Sequence, residues 1–131
     1  MDERKAASVT DFFEGFVVAF SSFDGYRVAS KFILPCLAKG PGNSSSVFLS
    51  RSQLAEYFQG YLDDYYSQGC RKCRYSAPEI KWLGSEGAVA TVTWNLVDTS
   101  GVLVTSWSES YMLSLAGGEA LAFATVDHVE E

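Results

Sequence analysis

The most conspicuous candidate for chemistry is Glu109, a lone carboxylate in the largely apolar run VLVTSWSESYMLSL (residues 102–115). Successive strand residues point to opposite faces, so Glu109 shares its face with Trp107 and Tyr111. Burial among aromatic side chains disfavours the charged carboxylate and raises its pKa, as acid/base catalysis requires. If the protein is an enzyme, we therefore expect Glu109 or Asp127 to move a proton, with Tyr111 or Tyr61 donating a hydrogen bond.

A structural interpretation of Glu109 stays open beside the catalytic one. The carboxylate could lie near a strand end, or it could pair with Lys81 or Arg74 across the sheet. Either arrangement would offset the cost of burying an unpaired charge.

The preceding run, AVATVTWNLV (residues 88–97), extends the same two faces. The turn DTSG, centred on Thr99 and Ser100, predicts that Val97 lies opposite Val102 and Asn95 opposite Val104. The bulky face is predicted to be the interior: Ala90, Val92, Trp94, Leu96, Leu103, Thr105, Trp107, Glu109, Tyr111 and Leu113. The small, polar face suits solvent or a second sheet in a dimer: Val89, Thr91, Thr93, Asn95, Val104, Ser106, Ser108, Ser110 and Met112.

The register of the last run, ALAFATVDH (residues 120–128), remains open between two alternatives. A two-residue turn at Gly117-Gly118 would pair Glu109 with Val126 and put His128 on the face of Trp107. A three-residue loop would pair Glu109 with Asp127 and Tyr111 with Thr125, and would bring Phe123 to the aromatic face. Because a one-residue slip exchanges the two faces, only one of Asp127 and His128 can face the interior.

Three helices are predicted before the sheet. Residues 8–21 carry an apolar stripe at helical spacing (Phe12, Phe13, Phe16, Val17 and Phe20), with Ser8 or Thr10 as the cap. Gly15 within this helix suggests a close approach of the sheet or of a ligand. A short second helix is capped by Asp24 and runs to about Lys31.

The third helix begins after Ser50, where Ser50 and Gln53 fit a capping box, and it ends at Gly69. Its stripe, predicted to lie across the sheet, consists of Leu54, Tyr57, Phe58, Tyr61, Leu62 and Tyr65. Residues 71–83 predict a strand that is broken or bulged near Pro78. FILPCLAKG (residues 32–40) is at best an irregular edge strand, and residues 40–46 (GPGNSSS) form a loop that could gate a pocket.

This order of elements predicts an α+β fold with a mostly antiparallel sheet and one domain over residues 1–131. The chain resembles the NTF2-like superfamily, especially its SnoaL-like and ketosteroid-isomerase-like branches, over about residues 8–129. The resemblance rests on the element order, on the W-x-x-S-Y element at Trp107, Ser110 and Tyr111, and on the closing Asp127–His128.

The resemblance implies a cone in which a strongly bent sheet wraps around three N-terminal helices, with an interior pocket. It also implies a homodimer formed through the sheet. SnoaL-like cyclases use a late Asp as acid/base, and Asp127 is the matching position. Ketosteroid isomerases need a phenol, which Tyr26, Tyr57 or Tyr61 could supply, but FILPCLAKG has no carboxylate where their base belongs, so steroid isomerisation is not expected.

Composition excludes several other classes of function. A net charge of −6 argues against a nucleic-acid partner, and no apolar run is long enough to span a membrane. The charged N-terminus without an apolar signal segment, together with three cysteines, favours the cytoplasm. Cys70-x-x-Cys73 follows a helix and lacks further ligands, so neither a metal nor another cofactor is expected.

The sequence therefore predicts a protein that binds a small, largely apolar molecule inside the cone, with or without acid/base chemistry of the isomerase, cyclase or hydrolase type. The alternative is a non-catalytic homodimeric scaffold with a filled core. The predicted catalytic residues are Glu109, Asp127 and Tyr111. The predicted ligand-binding residues are Trp94, Trp107, Tyr61, Tyr57, Phe16, Phe123, Tyr26 and His128.

Overall fold

The computed structural model describes residues 3–129, which form three helices and six strands. The helices are α1 (Glu3–Ser21), α2 (Gly25–Ala29) and α3 (Arg51–Ser67). The strands are β1 (Phe32–Lys39), β2 (Ser45–Phe48), β3 (Lys72–Leu83), β4 (Gly87–Val97), β5 (Leu103–Ser114) and β6 (Leu121–Asp127).

All six strands form one curved sheet in the order β2-β1-β6-β5-β4-β3. Every neighbouring pair is antiparallel except β1 and β6, which are parallel. The α+β fold with a mostly antiparallel sheet is confirmed. The main core, including Phe12, Phe32, Leu54, Trp94 and Leu113, lies between the helices and one face of this sheet.

The position of β1 corrects the expectation of an edge strand. β1 pairs on one side with β2 and on the other with β6, so it is internal. Pro35 is tolerated because the β1–β6 ladder is interrupted between Phe32 and Leu37, where its missing N–H is not required. The edge is formed by β2, whose first residues, Ser45 and Ser46, were predicted to belong to the loop.

Helix α1 begins at Glu3 rather than near Ser8, so neither Ser8 nor Thr10 is its cap. Ser8 lies inside the helix, and its Oγ donates to the carbonyl of Gly118 at 3.1 Å. The phenylalanines of the predicted stripe are buried, as expected. Gly15 makes room for the Lys31 side chain rather than for the sheet or a ligand, since a Cβ there would lie 2.6 Å from Lys31 Nζ.

The predicted caps of the other two helices are confirmed. Asp24 accepts a hydrogen bond from the Tyr26 N–H at the start of α2, which ends at Ala29, slightly before the expected Lys31. Ser50 accepts from the Gln53 N–H at the start of α3. Gly69 follows α3 with φ of +102°, a conformation that glycine adopts without strain.

The β3–β4–β5 meander keeps the predicted faces but not the predicted register. Trp94 pairs with Trp107 and Asn95 with Ser106, two residues away from the expected pairing of Asn95 with Val104. One residue of the difference comes from the turn, where Asp98 Oδ1 accepts from the N–H groups of Ser100 and Val102 and Val97 pairs with Leu103; the other comes from an irregularity between Leu96 and Val97. A two-residue slip preserves side-chain direction, but the irregularity leaves Leu103, predicted to be interior, exposed.

Strand β3 has the predicted bulge, between Ser76 and Glu79. Within the bulge, Ala77 has φ of +52°. No helix within residues 3–129 is long and apolar enough to cross a membrane.

Candidate functional site

A cavity of about 320 Å³ lies between the inner face of the sheet and helices α1 and α3. The helices contribute mainly aromatic side chains: Phe16, Phe20, Tyr57, Phe58, Tyr61 and Tyr65. The sheet contributes Trp94, Leu96, Trp107, Glu109, Tyr111 and Thr125. The exposed lining residues Pro41, Tyr61 and His128 mark the mouth of the cavity.

The register of β6 decides which C-terminal side chain enters this cavity. Glu109 pairs with Asp127 and Tyr111 with Thr125, as in the second of the two predicted alternatives, whereas Leu113–Ala122 and Ser114–Leu121 beside the turn keep the register of the first. Asp127 therefore faces the interior beside Glu109. His128 lies at the mouth of the cavity, but its Nε2 is hydrogen-bonded at 2.7 Å to Ser110 Oγ, which belongs to the outer face of the sheet.

Glu109 is the centre of a hydrogen-bond network built by two strands. Trp107 Nε1 donates to Glu109 Oε1 at 2.8 Å, and Thr125 Oγ1 donates to Oε2. Tyr111 lines the cavity on the same strand face as Glu109, and its hydroxyl oxygen accepts from Trp94 Nε1 at 2.8 Å. The donors Trp107 and Thr125 fix the carboxyl group of Glu109 in one orientation, as a proton-transfer group requires.

The two carboxyl groups lie side by side, and burial raises the pKa of each. Burial, followed by the negative charge of Asp127, raises the pKa of Glu109 from its ordinary value of 4.5 to about 7. Burial also raises the pKa of Asp127, while the hydrogen bond from Glu109 opposes that rise. Since the charge of Asp127 disfavours the charged form of Glu109, Asp127 ionises before Glu109, and the two groups can act as a base and an acid side by side.

Tyrosines of α3 surround this pair. Tyr65 stacks on Trp107, with ring centroids 5.5 Å apart and planes 19° apart. Burial raises the pKa values of Tyr57 and Tyr65, and the charges of Glu109 and Asp127 raise them further. Burial raises the pKa of Tyr111 as well. These phenols consequently stay protonated at neutral pH and remain hydrogen-bond donors.

Most residues predicted to bind a ligand lie at the cavity. Its lining includes Phe16, Tyr57, Tyr61, Trp94, Trp107 and His128, together with the predicted catalytic residues Glu109, Tyr111 and Asp127. Their roles in binding and catalysis stay predictions.

Two predicted ligand-binding residues do not line the cavity. Phe123 is the extra residue of an irregularity in β6 that separates the pairs Leu113–Ala122 and Met112–Ala124, and it is exposed. Tyr26 is 57% exposed on α2, because the short helix buries Val28 and Ala29 instead.

The expected alternative, in which Glu109 pairs with Lys81 or Arg74, does not occur. Lys81 and Arg74 lie on β3, which is separated from β5 by β4. No ion pair found within residues 3–129 involves Glu109.

Several lining residues were not anticipated as part of a site. Thr125 was placed opposite Tyr111 in one register, but its hydrogen bond to Glu109 depends on side-chain geometry. Lys39 and Pro41 reach the mouth because β1 is an internal strand adjacent to β6. Phe20 and Phe58 belong to the predicted apolar stripes, and that spacing was the available signal.

The cysteines and acidic residues offer no evident metal site. Within residues 3–129, no group of three His, Cys, Asp or Glu side chains is arranged to hold a metal ion. Cys36, Cys70 and Cys73 are buried free thiols, and burial raises the pKa of Cys73 to about 12. Such thiols are poor nucleophiles at neutral pH.

Solved structures with the same fold are numerous, and three illustrate it. A putative calcium/calmodulin-dependent protein kinase II association domain from Xanthomonas campestris is 19% identical, with a TM-score of 0.66, over 100% of this chain and 91% of that one. A ketosteroid isomerase-like protein from Erwinia carotovora atroseptica is 17% identical, with a TM-score of 0.66, over 95% and 96% of the two chains. A Nostoc punctiforme domain of unknown function with a cystatin-like fold is 11% identical, with a TM-score of 0.76, over 100% and 80%.

At these identities the structural matches establish the fold alone, and that fold is the expected α+β cone. None of the curated proteins compared with the chain is significantly similar to it in sequence. One family model, described as NTF2-like protein (DUF6841), matches residues 3–128. The chain therefore belongs to this NTF2-like family, DUF6841, and the resemblance seen in the sequence is confirmed.

Proposed function

We propose that this protein binds a small, largely apolar molecule in the cone interior and transfers a proton to or from it without a cofactor. The observation that carries the proposal is the convergence of an aromatic cavity of about 320 Å³ on the Glu109–Asp127 pair. The volume is near the lower end of the range for ligand sites and suits a molecule of one or two rings.

The proposed chemistry divides the two roles between the carboxyl groups. Asp127, the more readily ionised member of the pair, takes a proton from the bound molecule. Glu109 returns a proton to a second atom of it, and a pKa of about 7 lets it do so at neutral pH; a proton that passes from Asp127 to the neighbouring Glu109 then restores both groups. Tyr111 is a positioning residue, because its hydroxyl accepts from Trp94 Nε1 and its side chain lines the cavity on the face of Glu109.

Native mass spectrometry of freshly purified protein, repeated after denaturation, tests whether the cavity holds a ligand. We expect a bound species of a few hundred daltons at most, consistent with the small cavity, that is released on denaturation. Incubating the identified molecule with protein in D₂O then tests proton transfer, with deuterium incorporation into carbon-bound positions as the measurement.

The matched variants for that experiment are Glu109→Gln, Asp127→Asn and Glu119→Gln. The first two should lower the exchange rate by about 10²-fold or more, the usual contribution of a general acid or base. Glu119 is exposed in the β5–β6 loop, so its variant removes the same charge without touching the cavity. Equal exchange in all four proteins would refute the catalytic part and leave a binding protein.

A homodimeric role is a second candidate, favoured by the outer face of the sheet. There Thr91 and Ser110 share a hydrogen bond of 2.6 Å and Thr93 and Ser108 one of 3.0 Å, so these hydroxyls are satisfied within the face. A surface of small side chains whose hydroxyl groups are already hydrogen-bonded to one another suits packing against a second copy. Light scattering on the intact wild-type chain and on Ser108→Arg tests for this dimer. We expect the wild type to be a dimer and the variant to be a monomer. A monomeric wild type would refute the homodimeric role.

A further inference from the structure

The cavity contains two carboxyl groups that form no ion pair within residues 3–129, although the nearby His128 lowers the pKa of Asp127 and so offsets part of its charge. The basic residues of its lining are Lys39 and His128, and both are engaged elsewhere. Lys39 Nζ donates to the carbonyl of Gly40 at 3.0 Å and to the carbonyl of Gly42. His128 Nε2 bonds Ser110 at 2.7 Å.

None of the ion pairs found within residues 3–129 involves Glu109 or Asp127. Removing carboxylates from water without a counter-charge is unfavourable, and the hydrogen bonds from Trp107 and Thr125 to Glu109 compensate only in part. A positively charged group of a ligand would supply the missing counter-charge.

The aromatic side chains of the cavity lining also favour a positively charged ligand. Indole and phenol rings carry negative potential on their faces, and they attract cations, tryptophan most strongly. Trp94, Trp107, Tyr57, Tyr61 and Tyr65 all contribute to the walls. The net charge of −6 would also raise the local concentration of cations around the protein. An anionic ligand would be repelled by this net charge on approach and by the two carboxyl groups inside the cavity.

We propose that the ligand of this cavity is an organic cation, a protonated or quaternary amine with a compact apolar body, whose positive charge lies against Asp127 and Glu109 among the tryptophan and tyrosine rings. This inference rests on the proposed small-molecule function and specifies its ligand class. A cation of ten to fifteen non-hydrogen atoms is about the size that the cavity accommodates.

Binding of a cation is linked to the protonation of Glu109. Glu109 must release its proton for the ligand to meet two negative charges, and the pKa of Glu109 is about 7. The charged and titratable groups facing it are Asp127 and His128 at the end of β6, Tyr111 on β5, Tyr57 and Tyr65 on α3, and Lys39 on β1. The affinity for a permanently charged ligand should therefore rise about tenfold between pH 6 and pH 8.

Phenyltrimethylammonium and tert-butylbenzene provide a direct test, since they match in shape and differ in charge. Both are titrated into the full-length protein, with tryptophan fluorescence and calorimetry as measurements. At pH 8 we expect the cation to bind at least tenfold more tightly than the neutral isostere. Asp127→Asn should reduce this preference to about threefold or less, and Glu119→Gln should leave it unchanged.

The outcomes separate this inference from the proposed function. Equal binding of both compounds would overturn the cation inference and leave a cavity for apolar molecules. Binding of neither compound would overturn the cation inference, while a ligand found by native mass spectrometry would still support the proposed function. If Asp127→Asn fails to fold, the wild-type pH series decides: an affinity for the cation that is flat or falls between pH 6 and pH 8 contradicts the proposal.

Discussion

The charge on Glu109 should make the folded protein less stable above neutral pH, and Glu109→Gln should remove that effect. The pKa of Glu109 is raised from 4.5 to about 7 on folding. Between those pH values the unfolded chain loses this proton while the folded chain keeps it, so the free energy of unfolding falls as pH rises. A shift of this size corresponds to at most about 3 kcal/mol, lost by pH 7 to 8.

Glutamine preserves the shape and the contacts of this side chain. Its carbonyl oxygen can accept from Trp107 Nε1, and its amide can donate to the Thr125 hydroxyl or to Asp127. Because Glu109 is only half-buried and shares its charge with Asp127, we expect a measured gain of about 1–3 kcal/mol at pH 8. The corresponding rise in the midpoint of thermal unfolding is about 4–10 °C.

Urea denaturation of the wild type and the variant at pH 5 and pH 8 measures this prediction. At pH 5, where the folded chain keeps the proton of Glu109 and the unfolded chain has begun to lose it, the two proteins should differ by less than about 1 kcal/mol. Glu119→Gln, on an exposed loop, should match the wild type at both pH values. A variant that is less stable than the wild type at pH 8, or a gain of equal size at both pH values, would refute the argument from desolvation.

Three substitutions at the helices test the packing around the site, each by the free energy of unfolding. Gly60→Ala should stabilise α3 by up to about 1 kcal/mol, because nothing lies within 4 Å of the added Cβ; a loss of stability would contradict the open surface. Gly25→Ala should destabilise by more than about 2 kcal/mol, because its Cβ would lie 2.3 Å from the Ala55 carbonyl oxygen; a neutral effect would place α2 and α3 further apart. Ser50→Ala should cost about 1 kcal/mol by removing the acceptor of the Gln53 N–H, whereas Ser50→Gly should cost only a few tenths; equal losses would argue against the cap.

The sequence predicted best the features that local chemistry specifies. The cap of α3 and its ending at Gly69 were predictable from local residues. A serine side chain accepts a hydrogen bond from a free N–H group at the helix start, and glycine adopts the positive φ that follows the helix end. The alternation of β4 and β5 was equally informative: it placed Trp94, Glu109 and Tyr111 on one face although the register was wrong, since a slip of two residues preserves side-chain direction.

Features set by distant parts of the chain could not be predicted in the same way. The first residues of β2, Ser45 and Ser46, have the composition of a loop. They become part of a strand only because they pair with the neighbouring strand β1. The exposure of Phe123 follows from an irregularity in β6 that no periodicity signals. The close approach of Asp127 to Glu109 depends on the same irregularity: beside the turn, Leu113 pairs with Ala122 in the register that would bring Val126 to Glu109, and the extra residue Phe123 shifts the pairing to Asp127.

The placement of β6 between β1 and β5 has a consequence for how the protein is made. β6 is the last strand to leave the ribosome, and it joins the two parts of the sheet. Until β6 has been synthesised, β1 and β5 each have one unpaired edge. The parallel β1–β6 pairing also spans most of the sequence, and such distant contacts form slowly. Because β6 brings Thr125 and Asp127 with it, the Glu109–Asp127 pair is assembled by the same late step that closes the sheet.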